Sequence, residues 1–366
     1  MKTILVDVGS FYTKVCVMRQ EPGRAGTVAA EAEYQFYGRG FFPTLARAAG
    51  ELDKGRIYYE RAGQWFAVGY DAGSQLRLDE IGAAFDDEAF DANLAEVILR
   101  KIVFDYADAT DEVDVFVVVD SAQRAQVFEG LAKTLGEGVV EVAAYRGIDG
   151  RRITKDVRMR VGVLPSGDAV LGFLDLRGMD VETALVVDVG HNRTKLYVVG
   201  GQDGVELFRS ASCGVSFYYE KILRLLAEES VGDHHYLWLV KQIELGCDDV
   251  EVRRREAGGA ASLVDPTAGA GPHRVDVSLV LENVRWDLNK EFTRFTTDSL
   301  TAYYTNRVEW PGRLVVMGGG ASLNGEMLRL SLEEGGFHFD DVYVERQPMY
   351  SVLDGAAYVL GAGQAD

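Results

Sequence analysis

Two short stretches set a carboxylate, a glycine, hydroxyls and an amine at one spacing, and the chain carries that spacing twice. Residues 4–18 read ILVDVGSFYTKVCVM and residues 185–199 read LVVDVGHNRTKLYVV. Over fourteen paired positions seven are identical, among them Asp7/Asp188, Gly9/Gly190, Thr13/Thr194 and Lys14/Lys195. A glycine close behind the aspartate lets the backbone turn tightly and present amide N–H groups with no Cβ in the way. Such amides, with hydroxyls from Ser10, Thr13 or Thr194, make a concave site suited to phosphate oxygens. Asp7 and Asp188 fall at strand ends, where they would hold the waters of a hydrated Mg²⁺. An ordinary Asp-x-Gly hairpin turn is the plain alternative for either copy alone; the repetition counts against it.

A third stretch follows the apolar run LVVM with Gly318-Gly319-Gly320-Ala321. Three glycines there allow a flat ligand face, such as a nucleobase with its ribose, to lie on the backbone. The helix expected next would turn N–H groups toward an anion.

The elements that must position these residues are legible from periodicity. Each repeat is an apolar strand, a turn and a second apolar strand. The copies lie 181 positions apart in 366, which predicts duplicated architecture. Between them, short β-rich runs over Glu31–Phe42 and Arg56–Val68 predict small strands. Helical spacing over Glu88–Asp108 predicts an amphipathic helix. Val113–Val119 reads as a strand buried on both faces, followed by a helix that Ser121 caps and a strand at Val139–Tyr145. That order predicts a right-handed crossover in a mixed or parallel sheet. A strand at Arg158–Leu164 and a short helix at Asp168–Leu176 lead into the second repeat. Beyond it, Val215–Glu229 and His234–Leu245 look helical, and Gly258–His273 reads as a loop. A long helix over Val275–Asn306 comes next. A buried strand at Arg313–Met317, a helix at Asn324–Glu334, a strand at Val342–Glu345 and a helix at Met349–Leu360 close the chain.

Composition narrows the class. Hydrophobic content is 47% and charged content 26%, ordinary for a globular protein with a large core. No apolar run approaches the ~20 residues that cross a bilayer. The acidic Asp7 so near the start argues against a signal peptide. Cys16, Cys213 and Cys247 are few and widely spaced, which points to a reducing, cytoplasmic setting and away from a disulfide framework. The formal net charge of −19 disfavours direct nucleic-acid binding, which relies on neutralising phosphates. Basic clusters at Arg151-Arg152 and Arg253-Arg254-Arg255 read as solvated loop or helix ends, so any link to DNA would run through an adaptor.

Taken in order, hairpin, linking segment, hairpin and strand-GGGA-helix resemble the actin/Hsp70/sugar-kinase superfamily over the whole chain, and most of all the plasmid-segregation actins. The resemblance implies an α/β fold of two duplicated ribonuclease-H-like domains, residues 1–165 with 347–366 and residues 166–346, around an interdomain nucleotide cleft. It implies ATP or ADP with Mg²⁺ as cofactor. Asp7, Gly9, Ser10 and Lys14 match the first phosphate motif; Asp188, Gly190 and Thr194 match the second, with His191 and Asn192 beside the phosphates. Gly318, Gly319, Gly320 and Ala321 match the adenosine motif, Gly214 the glycine near the nucleotide, and Lys241 the lysine of the adenine-flanking helix. Head-to-tail filaments are the implied assembly. A pilus-assembly or cell-division type of adaptor that binds ATP and a partner peptide is the second reading, and a small-molecule kinase the third. Two departures stand out. Lys195 occupies a position where many relatives carry an acid. In the linking segment VGVLPSGDAVLG, Ser166 stands where the superfamily places the Gln or Glu that orients attacking water, so secure binding with slow or absent hydrolysis is expected.

Overall fold

A computed structural model of the chain describes residues 2–20, 34–73, 90–136, 138–179, 183–200, 204–211, 214–216, 219–222, 240, 249–252, 273–276, 278–304, 312–334, 336–346 and 348–362. The first repeat folds as β1 (Lys2–Val8) and β2 (Tyr12–Gln20), followed by β3 (Tyr34–Pro43), β4 (Ala46–Ala48), β5 (Ile57–Arg61) and β6 (Gln64–Val68). Helix α1 (Ala92–Tyr106) starts where the Asp91 carboxylate accepts from the Leu94 N–H at 2.8 Å. Strand β7 (Glu112–Val119) leads to α2 (Ala122–Leu135), capped by the Ser121 hydroxyl as expected, then to β8 (Val139–Arg146) and β9 (Arg151–Pro165). Helix α3 (Ser166–Leu176) links to the second repeat, β10 (Thr183–Val189) and β11 (Thr194–Gly200), with β12 (Val205–Ala211) beside them. A small ribbon of β13 (Asp249–Val252) and β14 (His273–Asp276) precedes α4 (Ser278–Tyr304). Strand β15 (Arg313–Met317), α5 (Ala321–Glu334), β16 (Asp341–Val344) and α6 (Ser351–Ala362) complete the order.

The duplication expected from the repeat holds at the level of topology. One sheet begins β3-β2-β1-β7-β9 and the other is β12-β11-β10-β15-β16. In both, the first three strands are antiparallel and the last two run parallel to the first repeat strand. Register repeats as well: Asp7 pairs with Lys14 and Val8 with Thr13, as Asp188 pairs with Lys195 and Val189 with Thr194.

Alternation along the strands sorts their side chains into separate cores. Ile4, Val6 and Val8 of β1 face α1 and α2 in one cluster. Leu5, between them, faces the opposite way into a cluster with α3 and α6. In the second sheet Leu185, Val187 and Val189 pack under Leu328 and Leu332 of α5, while Ala184 and Val186 turn to α3 and α6. Those two helices are therefore shared between the sheets. They cross closely enough that a Cβ on Gly355 would lie 1.8 Å from the Ala169 carbonyl oxygen, and one on Gly172 would lie 2.4 Å from that of Gly355. Only glycines permit that approach.

The sheet-to-sheet order corrects the crossover expected after β7. Strand β8 is not the parallel partner of β7; it runs antiparallel to β9, and β9 is the strand that pairs in parallel with β7. Strand β9 is also longer than Arg158–Leu164. Its charged first half is held by β8 and by Arg152, which bridges Glu60 at 3.0 Å and Glu141 at 2.7 Å. Strands β8, β5, β6 and β4 then extend the first sheet to nine strands. The long helix begins at Ser278, since residues 273–276 pair with β13 as a strand. The expected loop over 258–272 and most of the helices expected over 215–229 and 234–245 lie outside the described residues, as does Lys241.

Candidate functional site

The two Asp-Val-Gly turns close in the same way. The Gly9 N–H donates to the Tyr12 carbonyl at 3.0 Å, and the Gly190 N–H donates to the Arg193 carbonyl at 2.8 Å. A Cβ would stand 2.8 Å from the carbonyl oxygen in the first turn and 2.6 Å in the second, so both positions require glycine for one reason. The sheets bring the two turns together. Asp7 receives the Lys14 ammonium at 2.8 Å. Asp188, only 7% exposed, has Lys195 at 3.8 Å, but that ammonium lies nearer Asp120, at 2.8 Å. Asp120 directly follows β7 of the first sheet and Lys195 lies on β11 of the second, so this ion pair joins the two halves.

Charge coupling in this floor follows from burial. Desolvation raises the pKa of the Asp188 carboxyl, partly offset by Lys195 and Lys14 and reinforced by Asp7 and Asp120. Desolvation also opposes the charge on Asp120, but Lys195 and Arg124 outweigh it and hold that carboxyl at about 2. For Lys195, desolvation is outweighed by Tyr197, Asp120 and Asp188, and its pKa is raised. Asp120 and Lys195 thus stay charged, and Asp188 is the group pushed toward protonation.

The glycine turn after β15 borders the same floor. Gly318 has φ +85°, and a Cβ there would lie 2.1 Å from Asp188 Oδ1. The Gly320 N–H donates to the Val189 carbonyl at 2.8 Å, tying the turn to the second repeat. Among the described residues, none would come within 4 Å of a Cβ on Gly319. Gly214 packs so tightly on the second turn that a Cβ would fall 2.0 Å from the His191 carbonyl oxygen. Ala321 is buried as the first residue of α5.

The remaining expected residues are placed as follows. Thr13 is fully buried and its hydroxyl lies 2.9 Å from that of Thr44, which ties β2 to the segment after β3. Thr194 is also fully buried, and Ser10 and Asn192 are partly exposed. Ser166 opens α3 and accepts from the Tyr197 hydroxyl at 3.1 Å. The structure adds Asp120, Tyr197 and Phe11 to the residues of this region. Asp120 carried a readable signal, since it ends an apolar strand as Asp7 and Asp188 do. Phe11 carried none that distinguishes it from a core residue.

At the tips of the turns the rings of Phe11 and His191 stack, with centroids 3.6 Å apart and planes 8° apart. Tyr219 lies nearly parallel to His191 at 5.7 Å. Desolvation lowers the imidazole pKa to about 3, so the ring is neutral. Among the described residues no three His, Cys, Asp or Glu groups are arranged to cage a metal.

No protein-family model matches the chain. No curated protein sequence matches it. Solved structures do. The chain is similar to the archaeal actin homolog Ta0583 at TM-score 0.64 and 16% identity, covering 100% of both chains. It is similar to ParM of a 15-stranded filament from Clostridium botulinum at TM-score 0.62 and 12% identity, over 98% of this chain and 99% of that one. Bacillus thuringiensis ParM with ATP matches at TM-score 0.59 and 13% identity over 100% of both. The chain has the actin-like fold, with two duplicated halves.

Proposed function

We propose that this protein is an actin-like nucleotide-binding protein that assembles head to tail into cytoplasmic filaments with Mg-ATP, of the kind that segregates DNA or organelles. One observation carries the reading: two turns of equal geometry, Asp7-Val8-Gly9 and Asp188-Val189-Gly190, converge beside the glycine turn Gly318–Gly320 in an actin-like fold. In this reading residues 1–165 with 347–366 and residues 166–346 form the two domains. Nucleoside lies on Gly318–Gly320, with Gly214 and Lys241 near the base. Asp7 and Asp188 hold hydrated Mg²⁺, while Lys14 and the amides around Ser10, His191 and Asn192 receive phosphate. Bound Mg²⁺ would neutralise phosphate charge. The chain's own part is to position the ligand and exclude water. Ser166, bonded to Tyr197, offers no carboxylate or amide to orient water, so hydrolysis is slow.

Similarity to a ParM filament and to ATP- and ADP-bound actin homologues supports this reading. Light scattering and pelleting with Mg-ATP, Mg-ADP and a non-hydrolysable analogue test it. Fibres with ATP or the analogue are expected. A flat trace, with nucleotide still raising the melting temperature, would leave the second reading, a non-polymerising adaptor that binds nucleotide and a partner peptide, which the position of Ser166 favours.

A further inference from the structure

The two aspartate turns repeat in sequence and in register, but their lysines do not repeat in contact. Lys14 stands on the carboxylate of its own turn, 2.8 Å from Asp7. Lys195, which the register pairs with Asp188 in the same way, reaches past it. Its ammonium lies 3.8 Å from Asp188 and 2.8 Å from Asp120, a residue of the other half. One ammonium therefore serves two carboxylates from two sheets. Arg124 also acts on Asp120, while its guanidinium donates to the Val8 carbonyl of the first turn. In formal charge, Asp7, Asp120 and Asp188 are matched by Lys14, Lys195 and Arg124. The Lys195 side chain is 21% exposed and that of Asp188 9%, so water screens their contact little.

Asp7 and Asp188 offer hard oxygen donors of the class that a hydrated divalent cation takes, so their chemistry fits the metal of the reading above. Each, however, already faces an ammonium of this chain. A dication drawn to Asp188 works against the Lys195 charge, and in a partly buried setting that repulsion is large. We propose that Lys195 sets the metal requirement of this floor: it is a resident cation between Asp188 and Asp120 that weakens divalent-cation binding, so nucleotide affinity depends little on Mg²⁺. The inference rests on the nucleotide-binding reading and names the residue that governs its metal. A cation held weakly is absent from most complexes, and linkage then gives it little effect on the nucleotide.

The test is calorimetric titration of the full chain with ADP in MgCl₂ and in EDTA, with Mn²⁺ affinity of the ADP-bound protein read by electron paramagnetic resonance. Wild type, Lys195→Met and Lys195→Arg are compared, and melting temperatures are recorded for each. In wild type, ADP affinity in the two buffers is expected to agree within about threefold. Lys195→Met, which removes the competing charge, is expected to widen that ratio to about tenfold and to bind Mn²⁺ about tenfold more tightly. Lys195→Arg keeps the charge and should keep the wild-type ratio. A wild-type ratio above about threefold overturns the proposal, and it decides the matter if Lys195→Met fails to fold. An unchanged ratio in folded Lys195→Met overturns it too, as does Lys195→Arg behaving like Lys195→Met. Absence of ADP binding to all three proteins in both buffers overturns the nucleotide reading itself.

Discussion

His191 and the Lys195–Asp120 pair give the region where the two sheets meet its pH and charge behaviour. The neutral imidazole, held at about 3 against an unfolded value near 6.5, makes a contribution that is complete above pH 6.5 and is lost as pH falls toward 3. Between pH 6.5 and 5 a fully buried group would lose about 2 kcal/mol; its partial exposure halves that to about 1 kcal/mol. Urea titrations at pH 7 and pH 5 should show wild type losing about 1 kcal/mol more than His191→Phe, which keeps a ring and cannot titrate. Equal losses would remove His191 from the account. Asp120→Asn leaves the Lys195 ammonium, among the described carboxylates, with the more distant Asp188 and should cost about 2–3 kcal/mol. In Asp120→Asn/Lys195→Met the uncompensated charge is gone. A double-mutant cycle should then return a coupling of about 1–3 kcal/mol, and a coupling near zero would make the pair incidental.

At the scale of elements, the crossing of α3 and α6 decides how the two sheets meet. Gly355→Val puts atoms where the Ala169 carbonyl already lies 1.8 Å from a bare Cβ, so the helices must separate. We expect a loss of about 3 kcal/mol or more in chemical denaturation, with broadened core resonances. Gly130 is the contrasting case: it sits on the exposed face of α2, with none of the described residues within 4 Å of its Cβ site. Gly130→Ala should stabilise by about 0.5–1 kcal/mol, because it removes unfolded-state freedom and meets no clash. A loss there would show that α2 is under a constraint other than propensity.

At the scale of the whole molecule, the two halves share a core among the described residues. Leu5, Cys16 and Met18 of the first sheet, Val186, Tyr197 and Met317 of the second, and Phe173 and Leu353 of the shared helices form one cluster. Burying a side chain such as Phe173 contributes about 1.5–3 kcal/mol, and neither half alone can bury it. Heating should therefore give a single calorimetric transition with matching calorimetric and van't Hoff enthalpies. Residues 1–165 expressed alone should lack a cooperative transition. Two resolved transitions in the full chain would show that the halves are independent. The net charge of −19 acts at this scale too: any head-to-tail contact must overcome repulsion, so assembly should strengthen as salt rises toward about 0.15 M.

By itself the sequence determined the duplication, the two aspartate turns, the glycine turn after β15 and the helix cap at Ser121. Each of these is a short-range pattern, in which period, glycine placement and capping chemistry act within a few residues. The nine-strand extension was hidden, because the charged run Arg151–Asp156 reads as loop until β8 pairs with it and Glu60 neutralises Arg152. Tertiary structure alone decided that Lys195 turns to Asp120 and that Phe11 meets His191. Phe11 and His191 stand 180 positions apart, and nothing local marks an aromatic residue in a turn as the partner of a histidine in another. Sequence encodes which groups the turns carry; only the packing of two sheets on α3 and α6 determines which of them touch.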